Sequence, residues 1–229
     1  MLALIASSLL ASTVCPVGES LAGGQHSQVV TTQGRVHVWC RSGRELGAVV
    51  VYVHGYWDTL DSAFEGHQLA RQFAASQLDA LFVVVEAPSG PKQSVVVGDL
   101  DALLAELKVG SLPERTLLIA HSGGNRTLKR WLGSPRAKEV VVLDGLYGST
   151  SEYVAFLSGG EDRRVRLVSQ HTAPQATKFV SSLPRSVRAQ VSDAPAGCSH
   201  MDIVKGGVWL ERVLRDFGAR ALLARGDQL

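Results

Sequence analysis

Three cysteines and no C-x-x-C or H-E-x-x-H spacing leave the 229-residue chain without a metal-binding motif. Charge of one sign is also missing. Lys and Arg total 23 against 21 Asp and Glu, a net of +2 with no basic run, so nothing marks a nucleic-acid binder. No stretch of 18 apolar residues follows the N-terminus, and nothing beyond it is expected to span a bilayer. Low-complexity tracts, internal repeats and linker-like segments are absent too. What is present excludes a disordered chain: 45% of residues are hydrophobic and only 19% charged. This length holds one sizeable core, which predicts a single domain over residues 23–229.

Residues 1–22 are read separately. Met1 to Val14 carries no charged side chain, and its Leu, Ile and Ala run resembles the apolar region of a secretory signal. Ser20-Leu21-Ala22 fits a small-x-small cleavage pattern. No positive residue precedes Arg35, which is atypical of such a leader, and the alternative is an apolar segment lying on the core. The first reading places the protein in the periplasm or outside the cell, the second in the cytoplasm. Under export Cys15 leaves with the leader, and Cys40 and Cys198 remain as an even pair.

Short β-branched runs alternate with helix-like segments along the rest of the chain. Gln28 to Thr32 and Arg35 to Cys40 predict an antiparallel hairpin. Ala48 to Val53, Ala80 to Val85, Thr116 to Ala120 and Glu139 to Leu143 are continuously apolar, as strands buried on both faces are. Val165 to Ser169 and Val187 to Val191 predict shorter strands. Helices are expected over Asp61 to Gln77, Val97 to Leu107, Gly124 to Leu132, Ser151 to Leu157, Gln175 to Ser182 and Met201 to Leu223, the last broken near Gly206-Gly207 or Gly218. Such a series predicts a mainly parallel twisted sheet, preceded by a hairpin and covered by helices on both faces.

Ligands of such sheets bind beyond the carboxyl ends of the strands. His54-Gly55-Tyr56-Trp57 follows the first buried strand and Glu86 the second. His121-Ser122-Gly123-Gly124 follows the third, Asp144-Gly145-Leu146-Tyr147 the fourth, and Asp193 to His200 the last. Ala120-His121-Ser122-Gly123-Gly124 is a small-x-Ser-x-Gly turn between a buried strand and a helix. With Ser, Asp and His in that chain order at one rim, the sequence resembles an α/β-hydrolase, Ala120 standing where the usual motif has Gly. A sharp turn would lift Ser122 out of the sheet, with Ala120 and Gly124 kept small by mutual crowding.

The resemblance implies a Ser-His-Asp triad and no cofactor. Ser122 is the expected nucleophile and His200 the base, with His171 as its competitor. The family usually places the acid after the strand that here ends at Ser169, where no carboxylate stands. Asp144, one strand earlier, is the expected acid, ahead of Asp193 and Glu86. The main-chain N–H groups of Tyr56 and Gly123 are the expected oxyanion donors, with Trp57 the weaker alternative to Tyr56. Trp57 and Tyr147 are the expected substrate contacts, and Tyr153 could add aromatic surface. The 21 residues from Asp144 to Arg164 are too few for a cap domain. The implied activity is hydrolysis of an acyl bond, most simply a carboxylic ester of small-molecule or polymeric origin. Amidase, peptidase and acyltransferase chemistry, or a catalytically silent binding protein of the same fold, are the alternatives. The same topology sends Cys40 to the rim opposite Cys198, so no bridge between them is expected.

Overall fold

The computed structural model describes residues 15–226. Nine strands form one sheet in the order β1-β2-β3-β5-β4-β6-β7-β8-β9. They are β1 (Glu19–Leu21), β2 (Gly24–Thr31), β3 (Gly34–Arg41), β4 (Ala48–Val53), β5 (Ala80–Val85), β6 (Thr116–His121), β7 (Glu139–Leu143), β8 (Arg164–Ser169) and β9 (Val191–Pro195). The first three are antiparallel, and β3 runs antiparallel to β5. From β5 to β9 every pairing is parallel. The helices are α1 (Leu60–Gly66), α2 (Leu69–Ser76), α3 (Leu100–Glu106), α4 (Asn125–Trp131), α5 (Ser151–Ser158), α6 (Ala173–Ser182), α7 (Arg185–Arg188), α8 (Asp202–Lys205) and α9 (Val208–Gly226). No helix among the described residues is long and apolar enough to cross a membrane.

The continuous apolar strands explain the layering. Successive side chains point to opposite faces. Val49, Val51 and Val53 of β4 therefore join one core with Leu100, Leu103, Leu128, Trp131, Phe156 and Phe179 from α3 to α6. Val50 and Tyr52 join the other, with Leu60, Phe73, Ile203, Leu210 and Phe217 from α1, α2, α8 and α9. Chain order reverses at β4, with β5 on one side and β6 on the other. That places a crevice between the loops after β4 and β6.

Three local expectations are corrected. The helix expected over Asp61 to Gln77 is two, because Gln68 adopts a left-handed backbone (φ 52°) between α1 and α2. Val187 to Val191 is not a strand. Pro184 opens the short helix α7, and β9 begins only at Val191, which pairs with Val165. Met201 to Leu223 is α8 and α9, with the break at the first of the two expected places, Gly206-Gly207, where Gly207 has φ 75°.

The third correction concerns the N-terminus. Glu19–Leu21 pairs with β2, the Trp39 indole donates to the Leu21 carbonyl at 2.8 Å, and Cys15 is bridged to Cys40 across a Cα–Cα distance of 5.9 Å. The folded domain thus includes Cys15 and β1, ahead of the expected boundary at residue 22. Cys198 is free, and no bridge joins it to Cys40. The apolar run of residues 1–14 lies outside the described residues.

Candidate active site

Ser122 follows β6 directly and opens a single 3-10 turn, Ser122–Gly124, that runs into α4. Its φ of 49° is left-handed, a conformation a non-glycine residue adopts only when its surroundings impose it. Those surroundings have no spare room. A Cβ on Gly55 would fall 2.9 Å from Ser122 Cβ, and one on Gly145 would fall 2.6 Å from the Ser122 carbonyl oxygen. A Cβ on Gly123 would overlap the Tyr56 ring, and one on Gly124 would overlap the carbonyls of Val53 and His54. Gly124 is therefore required by the end of β4 rather than by Ala120.

The loop after β4 is held from beneath by His54, which is fully buried. Its Nδ1 lies 2.8 Å from the Gly55 carbonyl, and its Nε2 accepts the Ala87 N–H at 3.0 Å. Burial favours the neutral ring and lowers its pKa, against the opposing pull of the Gly55 carbonyl. Trp57 donates its N–H to the Ser89 carbonyl, which removes it as an oxyanion donor. The Tyr56 N–H has no acceptor among the described residues. The Trp57 side chain is 85% exposed on a left-handed backbone (φ 72°) and does not line the cleft over Ser122.

Asp144 follows β7, also left-handed (φ 45°), with its side chain fully buried. Its Oδ2 lies 2.6 Å from Nδ1 of His200. The loop after β8, which offers no acid, instead wraps this carboxylate. Gln170, His171 and Thr172 donate their N–H groups to it at 2.8, 3.1 and 2.8 Å, and the Thr172 hydroxyl adds a fourth bond at 3.0 Å. Burial alone would raise the Asp144 pKa. The His200 hydrogen bond and the three backbone donors outweigh it and hold the carboxyl well below the usual range.

The His200 ring has its centroid 4.6 Å from that of His121 and 5.3 Å from that of His171, to which it is nearly parallel. His171 approaches Asp144 through its backbone, while its own side chain is exposed. His121 is pushed down to about 3 by burial and by the charge of His200, which keeps it neutral. Its Nε2 lies 3.2 Å from the His200 carbonyl. Asp193 lies within β9, exposed and in register with Leu167, rather than in the loop beyond it. Neither it nor Glu86 bonds a histidine among the described residues.

Ser122 and His200 share no hydrogen bond in this structure. Ser122 and Tyr147 line the same cleft. Burial and the Asp144 charge raise the Tyr147 pKa, and the Ser122 contact lowers it. A cleft of about 780 Å³ opens over Ser122, lined by Tyr56, Gly123, Tyr147 and the outer face of α4. Tyr153 does not line it; it is buried beneath, bonded to Asn125.

No protein-family model and no curated protein matches the chain. Solved structures do. An S-formylglutathione hydrolase from Agrobacterium tumefaciens superposes with a TM-score of 0.61 at 11% identity, covering 90% of this chain and 99% of its own. A ferulic acid esterase gives 0.62 at 10% identity, covering 86% and 97%. An esterase of Pyrobaculum calidifontis gives 0.56 at 13% identity, covering 90% and 87%. The chain has the α/β-hydrolase fold.

On this α/β-hydrolase frame three features escaped the sequence reading. One is the ring of N–H donors around Asp144, visible in sequence only as the missing acid after β8. Another is the approach of Tyr147 to Ser122 at the cleft. The third is the basic face of α4, carried by Arg126, Lys129 and Arg130. Asp144, His171 and His200 each offer a ligand atom within 4.8 Å of the others. The Asp144 carboxylate and Nδ1 of His200 are hydrogen-bonded to each other.

Proposed function

We propose that this protein is a serine hydrolase that cleaves carboxylic esters through Ser122, His200 and Asp144. The reading rests chiefly on the 2.6 Å bond between Asp144 and His200 Nδ1. A carboxylate there selects the tautomer with its proton on Nδ1, which leaves Nε2 as the basic nitrogen, and Nε2 has no partner among the described residues. The esterases and hydrolases among the structural neighbours support the same class.

In the proposed cycle the Ser122 hydroxyl turns to Nε2 of His200. As Oγ bonds the acyl carbon, its proton passes to Nε2. The N–H groups of Tyr56 and Gly123 receive the oxyanion, an arrangement for which one lost donor typically costs about 3 kcal/mol of transition-state stabilisation. His200 then gives its proton to the departing alkoxide. Water, deprotonated by the same nitrogen, attacks the acyl-enzyme, and the proton returns to Ser122 Oγ. One ester and one water become one acid and one alcohol. Asp144 stays ionised throughout and stabilises the imidazolium form of His200.

A fluorophosphonate probe tests the reading. Expected is covalent labelling of the wild type, lost in Ser122→Ala and His200→Ala, together with nitrophenyl ester turnover that the same variants abolish. Folded wild-type protein that neither labels nor turns over any ester would instead be a silent hydrolase-fold binding protein. We also propose that the protein works in an oxidising compartment outside the cytoplasm, with any leader ending before Cys15. The Cys15–Cys40 bridge supports this.

A further inference from the structure

We propose that the ester this site accepts carries an anionic oxygen group, a carboxylate or a phosphate, seated on the outer face of α4. The inference rests on the esterase reading and deepens it.

The chain as a whole is nearly neutral, yet the cleft over Ser122 is not. Arg126, Lys129 and Arg130 line it, and Glu152 is the one acidic side chain beside them among the described residues. Glu152 lies 3.7 Å from Lys129, which also donates to the Ser149 carbonyl, so that acid is already engaged. Arg126 commits one nitrogen to the Tyr56 hydroxyl at 3.2 Å and the Pro91 carbonyl at 2.8 Å, tying the oxyanion loop to α4. Arg130 is exposed and makes no hydrogen bond or ion pair with any described residue. A guanidinium with all its donors free at the wall of a reactive cleft matches the forked geometry of an oxyanion group.

Spacing sets the reach. Arg126 and Arg130 are one helical turn apart on α4, which begins just after Ser122. Helical rise puts them roughly 6–12 Å along the chain axis from the nucleophile. An anionic group a few bonds from the scissile carbonyl fits that span, whereas a short uncharged acyl chain leaves the cations unused.

The test compares kcat/KM for matched pairs of esters. The nitrophenyl half-ester of adipic acid is set against nitrophenyl hexanoate, with a phosphonate-ended hexanoate as the phosphate arm. Hexanoylated hydroxyphenylpropionate is set against its amide, to place the charge on the leaving group. Expected is a charged-over-neutral ratio of about tenfold in at least one pair. That ratio should fall about three- to fivefold in Arg130→Gln, recover only in part in Arg130→Lys, which keeps the charge and loses the fork, and shrink as salt is raised. Ratios at or below one in every pair, or a ratio indifferent to Arg130→Gln, overturn the inference. If neutral ester turnover in that case still depends on Ser122, the proposed function stands without it. Absence of both turnover and fluorophosphonate labelling ends both.

Discussion

Asp144 shows how one carboxylate can be prepared for a single task. Its left-handed backbone aims the side chain under His200, and three consecutive N–H groups, from Gln170 to Thr172, supply the counter-dipoles that keep it ionised while buried. Asp144→Asn removes the acceptor that fixes the His200 tautomer. It is expected to lower kcat for ester hydrolysis by about 10³–10⁴, read from steady-state kinetics with circular dichroism confirming the fold. His171→Gln alters a ring that only stacks on His200, and its kcat should stay close to wild type. A reversed order of effects would reassign the base. Legibility divides at this scale by the range of the signal. Ser122 and Gly124 were readable because a turn between strand and helix is local. The placing of Asp144 beside His200 was expected only through family resemblance, and its N–H cage was invisible, since backbone donors leave no mark in a sequence.

At the scale of elements, the sharp passage from β6 to α4 depends on close approach between main chains. Gly124→Ala would press a methyl group into the carbonyls of Val53 and His54 at the end of β4. We expect a loss of roughly 1–3 kcal/mol in urea unfolding, together with reduced labelling of Ser122. Gly133→Ala, where a Cβ meets nothing within 4 Å, is the control and should leave stability unharmed. The four central strands β4 to β7 were legible almost to the residue, because burial on both faces demands unbroken apolar runs. The edges were not. β9 is a partly exposed edge strand ending in Pro195, so it lacks both the run and a clean alternation, and the Val187 to Val191 segment imitated it better. β1 was hidden because its three residues are polar or half-buried and fell inside the apparent leader.

For the whole molecule, the Cys15–Cys40 bridge fastens the start of the described chain to the far end of the hairpin, at the rim opposite Ser122. It closes a loop of 25 residues. Replacing both cysteines by serine should cost roughly 3 kcal/mol in chemical unfolding, most of it through the unfolded chain. Ester turnover by the molecules that remain folded should hardly change, because the bridge and the site lie at opposite rims. An unchanged unfolding midpoint would show that the bridge adds nothing. Sequence by itself determined the α/β class, the central strands, the position of the strained Ser122 turn and the rim on which Ser122, Asp144 and His200 stand, since each follows from local periodicity and chain order. Only the tertiary structure decided which acid meets His200, which cysteine meets Cys40, and that Ser122 shares its cleft with Tyr147 and a basic helix face. Those are meetings between residues far apart along the chain, set by how the sheet twists and the loops pack, and no local pattern of side chains encodes them.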